Sequence, residues 1–188
     1  MRITSAVLGS LGTNAYLIEI GERVVLVDPA EDSAALHALV GHRTIDWVVN
    51  THGHYDHVGG NWAIESGGVC IHEKDVPYVT HFFPKHPAFD RYLRDGDEVV
   101  PGLRVMHTPG HSPGSVILVA DGALFAGDLL FAGSIGRTDF PGGSDEDMGA
   151  SLRRVVGLAG EYAVYPGHGP KTTLSRERGS NPFLQDEG

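Results

Sequence analysis

Apolar positions fall first into strand-length runs, and later into such runs separated by helical spacings. Residues 2–8 and 14–20 predict β-strands, the second being rich in strand formers (Asn14-Ala15-Tyr16-Leu17-Ile18-Glu19-Ile20). Gly21-Glu22 predicts a turn. Arg23 to Val27 predicts a buried strand that runs into Asp28-Pro29, where proline, lacking an N–H, ends the ladder. Residues 32–41 predict a helix with Asp32 as N-cap, Leu36, Leu39 and Val40 on one face, and Gly41 as its stop. Ile45 to Val49 predicts another buried strand, and Val58 to Ser66 a helix weakened by Gly59-Gly60.

Further strands are expected near 69–72, 97–100, 103–107, 115–120, 123–127 and 162–165, with helices over 145–159 and about 172–179. The aromatic, proline-containing segment 81–96 reads as a connecting loop, or as a lid or dimer contact. Meanders followed by alternating strands and helices suit two packed sheets with helices on the outer faces. No boundary is apparent, so residues 1–188 read as a single domain.

The net charge of −10 disfavours nucleic acid, because a phosphate backbone would be repelled. No apolar run approaches the roughly 20 residues that span a bilayer, and the N-terminus lacks the features of a signal peptide. The single cysteine, Cys70, cannot form an intrachain disulfide and reads as a small buried hydrophobe. The expectation is a cytoplasmic protein without membrane or nucleic-acid partners. Nothing in the pattern fixes an oligomeric state.

One segment changes this picture. Thr51-His52-Gly53-His54-Tyr55-Asp56-His57 places four metal-competent side chains within six residues, just past a predicted strand. A lone histidine is more often a surface or core residue than a ligand, but three of the eleven histidines fall in this one run around an aspartate. His52 and His54, two apart on extended chain, share a side and can reach one cation. Asp56 and His57 sit where the chain turns into a helix and can face a second. His111, Asp128 and His168 each stand in a Gly/Pro-rich exit from a strand. Singly they say little; with the cluster they complete a ligand set.

This series, His-x-His-x-Asp-His followed by Gly-His, Gly-Asp and a late Gly-His, resembles the metallo-β-lactamase superfamily over nearly the whole chain. The resemblance implies an α+β four-layer αββα sandwich with the site at one edge. It implies one metal on His52, His54 and His111, a second on Asp56, His57 and His168, and Asp128 bridging them. Two divalent metal ions are therefore expected. Zinc is the first expectation, and iron and manganese also suit five imidazoles and two carboxylates. The segments Leu130–Gly143 and Pro166–Thr173 resemble the short bacterial glyoxalase II-like hydrolases, which cleave S-acylglutathione thioesters.

From that resemblance follows the expectation of a thioester hydrolase that uses a metal-bridging hydroxide, with Asp56 both ligating and orienting it. The substrate would be a small thioester of the S-lactoylglutathione type. The helical C-terminal domain that supplies basic residues for glutathione in full-length relatives is expected to be absent, since twenty residues follow His168. Arg137 matches the family's basic substrate residue, but Asp139 stands where a tyrosine is expected and could pair with it. Pro170 replaces a second expected tyrosine. Rival readings are a mononuclear iron persulfide dioxygenase of the same fold, a phosphodiesterase, a β-lactamase and a metal-free scaffold.

Overall fold

The computed structural model describes residues 1–185, which divide into two compact units, one ending at Leu93 and the other beginning at Arg94. The first unit contains β1 (Arg2–Leu8), β2 (Thr13–Ile20), β3 (Arg23–Val27), α1 (Ala34–Val40), β4 (Trp47–Val49), α2 (Tyr55–Val58), β5 (Val69–Ile71), α3 (Val76–Phe82) and β6 (Arg91–Tyr92). Its sheet runs β1-β2-β3-β4-β5-β6. The first two pairings are antiparallel hairpins, and from β3 onward all neighbours are parallel. Hairpins suit β1 to β3 because their links are short, whereas the parallel strands are joined by longer, partly helical crossovers. The core gathers Leu17, Leu26, Leu36, Val48, Val58 and Ile71.

The second unit contains β7 (Glu98–Val100), β8 (Leu103–His107), β9 (Val116–Ala120), β10 (Ala123–Gly127), β11 (Leu130–Phe131), β12 (Ser134–Ile135), α4 (Asp145–Val156), β13 (Ala163–Pro166), β14 (Thr172–Thr173) and α5 (Leu174–Ser180). The sheet order is β14-β13-β10-β9-β8-β7, with β11 and β12 forming a separate hairpin. Only β10 and β13 pair in parallel, and α4 lies in the connection between them. Ser144 caps α4 by accepting from Asp147 N–H. The three acids of its first turn and the two arginines of its last complement the helix dipole. Met148, Leu152 and Val155 pack with Ile117, Leu124 and Val164.

Most expected elements appear within a residue or two, and the exceptions have local causes. The helix expected over 58–66 is absent: α2 ends at Val58 and turns follow. Gly60 N–H bonds Pro29 C=O (2.6 Å) rather than its own helix, and a Cβ at Gly60 would lie 2.5 Å from that oxygen. The backbone is pressed against the β3–α1 link, where only glycine fits. Ser33, not Asp32, caps α1 by accepting from Leu36 N–H (3.3 Å), while Asp32 pairs with His37. Within 81–96, His86 stacks on Trp62 (5.4 Å between ring centroids) and Phe89 is buried, so the segment is packed down as it leads to β6.

The charged run Arg176-Glu177-Arg178 in α5 would ordinarily form a solvated or ion-paired helix face, but only Arg176 is exposed. Glu177 is fully buried. It accepts from Gly133 N–H (2.8 Å), Thr172 Oγ1 (2.6 Å) and Asn181 Nδ2 (2.9 Å), tying the β11–β12 hairpin to β14 and α5. Arg178 turns inward to the carbonyls of Val156, the last residue of α4, and of Gly160 beyond it.

Candidate metal centre

Four of the seven predicted ligands lie in the first unit, where β4 gives way to α2. His52 and His57 are buried, and His54 and Asp56 are partly so. The rings of His52 and His54 stand edge to face at 4.7 Å, and those of His52 and His57 lie 4.1 Å apart. His57 Nε2 and Asp56 Oδ2 are 3.6 Å apart. His54 occupies the N-cap position of α2 with extended backbone, which aims the preceding loop and the helix differently.

Beneath this cluster lies a residue to which the sequence analysis gave no role in the site. Asp28, buried at the end of β3, accepts from Thr51 N–H at Oδ1 (2.8 Å). At Oδ2 it accepts from Thr51 Oγ1 (2.7 Å) and His57 Nδ1 (2.9 Å). Its φ of 50° is the one positive value outside glycine among the described residues, a conformation aspartate tolerates better than most. Thr51 Oγ1 has a single proton, and it goes to Asp28. The hydroxyl therefore receives His52 Nδ1–H (3.1 Å). Asp28 thus holds the Nδ1 proton on His57 directly and on His52 through Thr51, so both rings keep an Nε2 lone pair for a cation.

Asn50 and Asn61 exchange side-chain hydrogen bonds (2.9 and 2.7 Å), and Asn50 also donates to His57 C=O, fixing the start of the loop. Gly53 N–H donates to buried Asp75 (2.8 Å), and Thr13 Oγ1 donates to Asp56 Oδ2 (3.2 Å). The signal for Asp28 was present in the sequence: an apolar strand ending in a carboxylate, the same pattern that singled out Asp128.

The other three predicted ligands lie in the second unit, each past a strand. Asp128 and His168 leave the same ends of the parallel neighbours β10 and β13, where Gly127 pairs with Pro166 and Gly167 N–H bonds Gly127 C=O. His111 sits in the β8–β9 loop. One oxygen, Asp128 Oδ2, stands 3.5 Å from both His111 Nε2 and His168 Nε2. His111 Nδ1 donates to Arg137 C=O (2.7 Å), which again leaves Nε2 as the ligand atom. Gly136 lies so close beneath that a Cβ there would meet Asp128 C=O at 1.7 Å.

These spacings fit a metal. Hydrogen bonds of this kind centre near 2.9 Å. Two atoms each about 2.1 Å from one cation at tetrahedral angles lie roughly 3.4 Å apart. The 3.5–3.6 Å separations match the second geometry, and imidazole nitrogen with carboxylate oxygen suits zinc, iron or manganese.

Arg137 makes a bidentate pair with Asp139 (Nε to Oδ1 2.5 Å, the second bond to Oδ2 2.6 Å) and lies over the Phe140 ring at 4.1 Å. That hydrogen bonding holds the Asp139 carboxyl below its ordinary range and Arg137 above its own. Cys70 is buried, and burial pushes its thiol up to about 12, which leaves it unreactive. No helix among the described residues is long and apolar enough to cross a membrane.

A fold of this kind with a His/Asp metal-binding cluster defines a class, and the chain belongs to the metallo-β-lactamase superfamily: the sequence model described as "Metallo-beta-lactamase superfamily" matches residues 8–168. Among individual proteins, the chain is similar to TTHA1623, solved in a di-iron-bound form. The TM-score is 0.88 at 39% identity, over 96% of this chain and 100% of that one. It is similar to the B3 metallo-beta-lactamase BLEG-1 (TM-score 0.84, 31% identity, 98% of this chain and 100% of that one). The hydroxyacylglutathione hydrolase GloC of Haemophilus influenzae is 33% identical over 93% of each chain.

Proposed function

We propose that this protein is a binuclear metallo-hydrolase that cleaves thioesters of the S-acylglutathione type in the cytoplasm. In this reading, which follows the family resemblance, His52, His54 and His111 would hold one cation and Asp56, His57 and His168 a second, with Asp128 as their common ligand. The observation that carries it is the single oxygen of Asp128 facing two imidazoles at equal distance, the disposition a bridging ligand needs. The di-iron form of TTHA1623 and the activity named for GloC support the metal count and the substrate class.

Bound divalent cations would supply a Lewis acid for the carbonyl oxygen and lower the pKa of water toward about 7. The chain's own residues do the rest. Asp28 and Thr51 fix the tautomers of His52 and His57. Thr13 sets the rotation of the Asp56 carboxylate, which accepts a hydrogen bond from the attacking water and so aims its lone pair at the carbonyl carbon. A thiolate leaves readily, so the leaving group needs no strong acid from the protein.

The test is hydrolysis of S-lactoylglutathione under anaerobic conditions, with metal content measured on the same sample. Turnover at close to two metals per chain is expected. One iron per chain with oxygen-dependent consumption of a glutathione persulfide would replace this reading with the dioxygenase. Hydrolysis of β-lactams alone would point to the activity named for BLEG-1.

A further inference from the structure

The angle between the His52 and His54 rings depends on the backbone of the residue between them. Gly53 lies outside sheet and helix alike, since β4 ends at Val49 and α2 begins at Tyr55. No ladder fixes it there; a buried carboxylate does. Gly53 N–H donates to Asp75 Oδ2 (2.8 Å), and a Cβ on Gly53 would stand 2.5 Å from Asp75 C=O and 3.1 Å from Asp75 Cβ. One residue thus supplies both the acceptor that turns the 52–53 peptide and the wall that stops it, and only glycine fits between.

Asp75 is itself held. It is fully buried, its N–H bonds His72 C=O (3.0 Å) to close the 3-10 turn Glu73–Asp75, and α3 begins at the next residue. Three residues on, the Tyr78 ring meets His54 edge to face (5.7 Å, 87°). The segment that fixes the Gly53 backbone therefore also rests on the His54 ring.

We propose that Asp75 is a positioning residue for one of the two cations. Through Gly53 it sets the disposition of the His52 and His54 rings, 4.7 Å apart and 87° to one another, in which both face the same ion. The proposal rests on the binuclear reading above. Asp28 governs the ring protons of His52 and His57, and so bears on both cations. Asp75 acts on the link between His52 and His54, so its effect falls on the cation they share.

Zinc binding by the full chain is measured by competition against a chromophoric chelator that resolves the two equivalents. In Asp75→Ala one equivalent is expected to weaken about 10- to 100-fold, as for other groups that orient a metal ligand, while the other keeps its affinity. Asp75→Ser, whose hydroxyl falls short of Gly53, should behave alike. Asp75→Asn, whose oxygen can still accept from Gly53 N–H, should restore most of the loss. Ring-nitrogen NMR of the histidines identifies the weakened site: the His54 ring is expected to lose the shifts of a bound imidazole and the His57 ring to keep them. Thermal melting of the metal-free proteins separates fold from placement. Two unchanged equivalents, or two that weaken together, overturn the proposal, as does failure of both the Ala and Ser variants to fold. A wild type that binds a single zinc would remove the binuclear reading instead, and the His54 ring shifts would still report on Asp75.

Discussion

Replacing Asp28 by Asn keeps the size of the side chain and removes one acceptor, and both ways of seating the amide do damage. With its oxygen at the Oδ2 position, the amide still accepts from Thr51 Oγ1 and His57 Nδ1, but its NH2 then faces Thr51 N–H, a donor against a donor. A buried donor left without an acceptor costs about 1–3 kcal/mol. Seated the other way, the NH2 faces His57 Nδ1 and favours the tautomer that carries its proton on Nε2, where no cation can bind. The variant is therefore expected to lose roughly 1–3 kcal/mol of stability without metal. Separately, it should lose about 10- to 100-fold in metal affinity, as for other partners that orient a ligating histidine. The two losses are measured apart, by urea unfolding in chelator and by competition against a chromophoric chelator. Thr51→Ser, which keeps the hydroxyl, should retain wild-type affinity; Thr51→Val should not. Wild-type affinity in Asp28→Asn would refute the tautomer argument and leave Asp28 a purely structural residue.

Asp56→Asn is expected to lower kcat about 10²- to 10⁴-fold through loss of the carboxylate that orients water, with urea midpoint little changed; full activity at normal metal content would rule out that role. Glu177→Gln should be tolerated in urea unfolding, because its oxygen can serve Gly133 and Asn181 while its NH2 donates to the Thr172 hydroxyl, which can turn to accept. Glu177→Ala strands those donors in the interior and is expected to cost about 3–5 kcal/mol in the same assay. On the acid side, the Asp46 carboxyl lies below its ordinary 3.8, mainly through the hydrogen bond from Val24 N–H and also through Arg23. A lowered carboxyl contributes stability above its unfolded value and loses it as pH falls through the folded one. Asp46→Asn should therefore flatten the stability loss below about pH 4, read from urea midpoints across that range.

The strands and the seven candidate ligands were legible in the sequence for the same reason. An apolar run that stops at a Gly- or Pro-rich turn marks both a strand end and a place where a polar side chain is presented. His111, Asp128 and His168 all have that form, and the His52–His57 run declares itself by density. What could not be read depended on contacts from afar. Gly59-Gly60 looked like a soft start to a helix, whereas the packing of Gly60 on Pro29 forbids one. Glu177 sits between two arginines, where a charged residue belongs to solvent by default, and only the meeting of three separate donors makes its burial stable. Asp28 was passed over because Asp-Pro after a strand reads as an ending. The grip of Asp139 on Arg137 was visible as an alternative, and geometry decided it.

The pairing of β13 beside β10 has a consequence for how the protein is made. Asp128 leaves the ribosome forty residues before His168, and the two come side by side only once the chain has crossed by way of α4 and laid a late strand against an earlier one. The donors of the first unit, together with Asp28 and Thr51, are all synthesised within the first 57 residues. Vectorial synthesis thus delivers the four candidate donors of the first unit, with the buried residues that orient them, before any candidate donor of the second has been made.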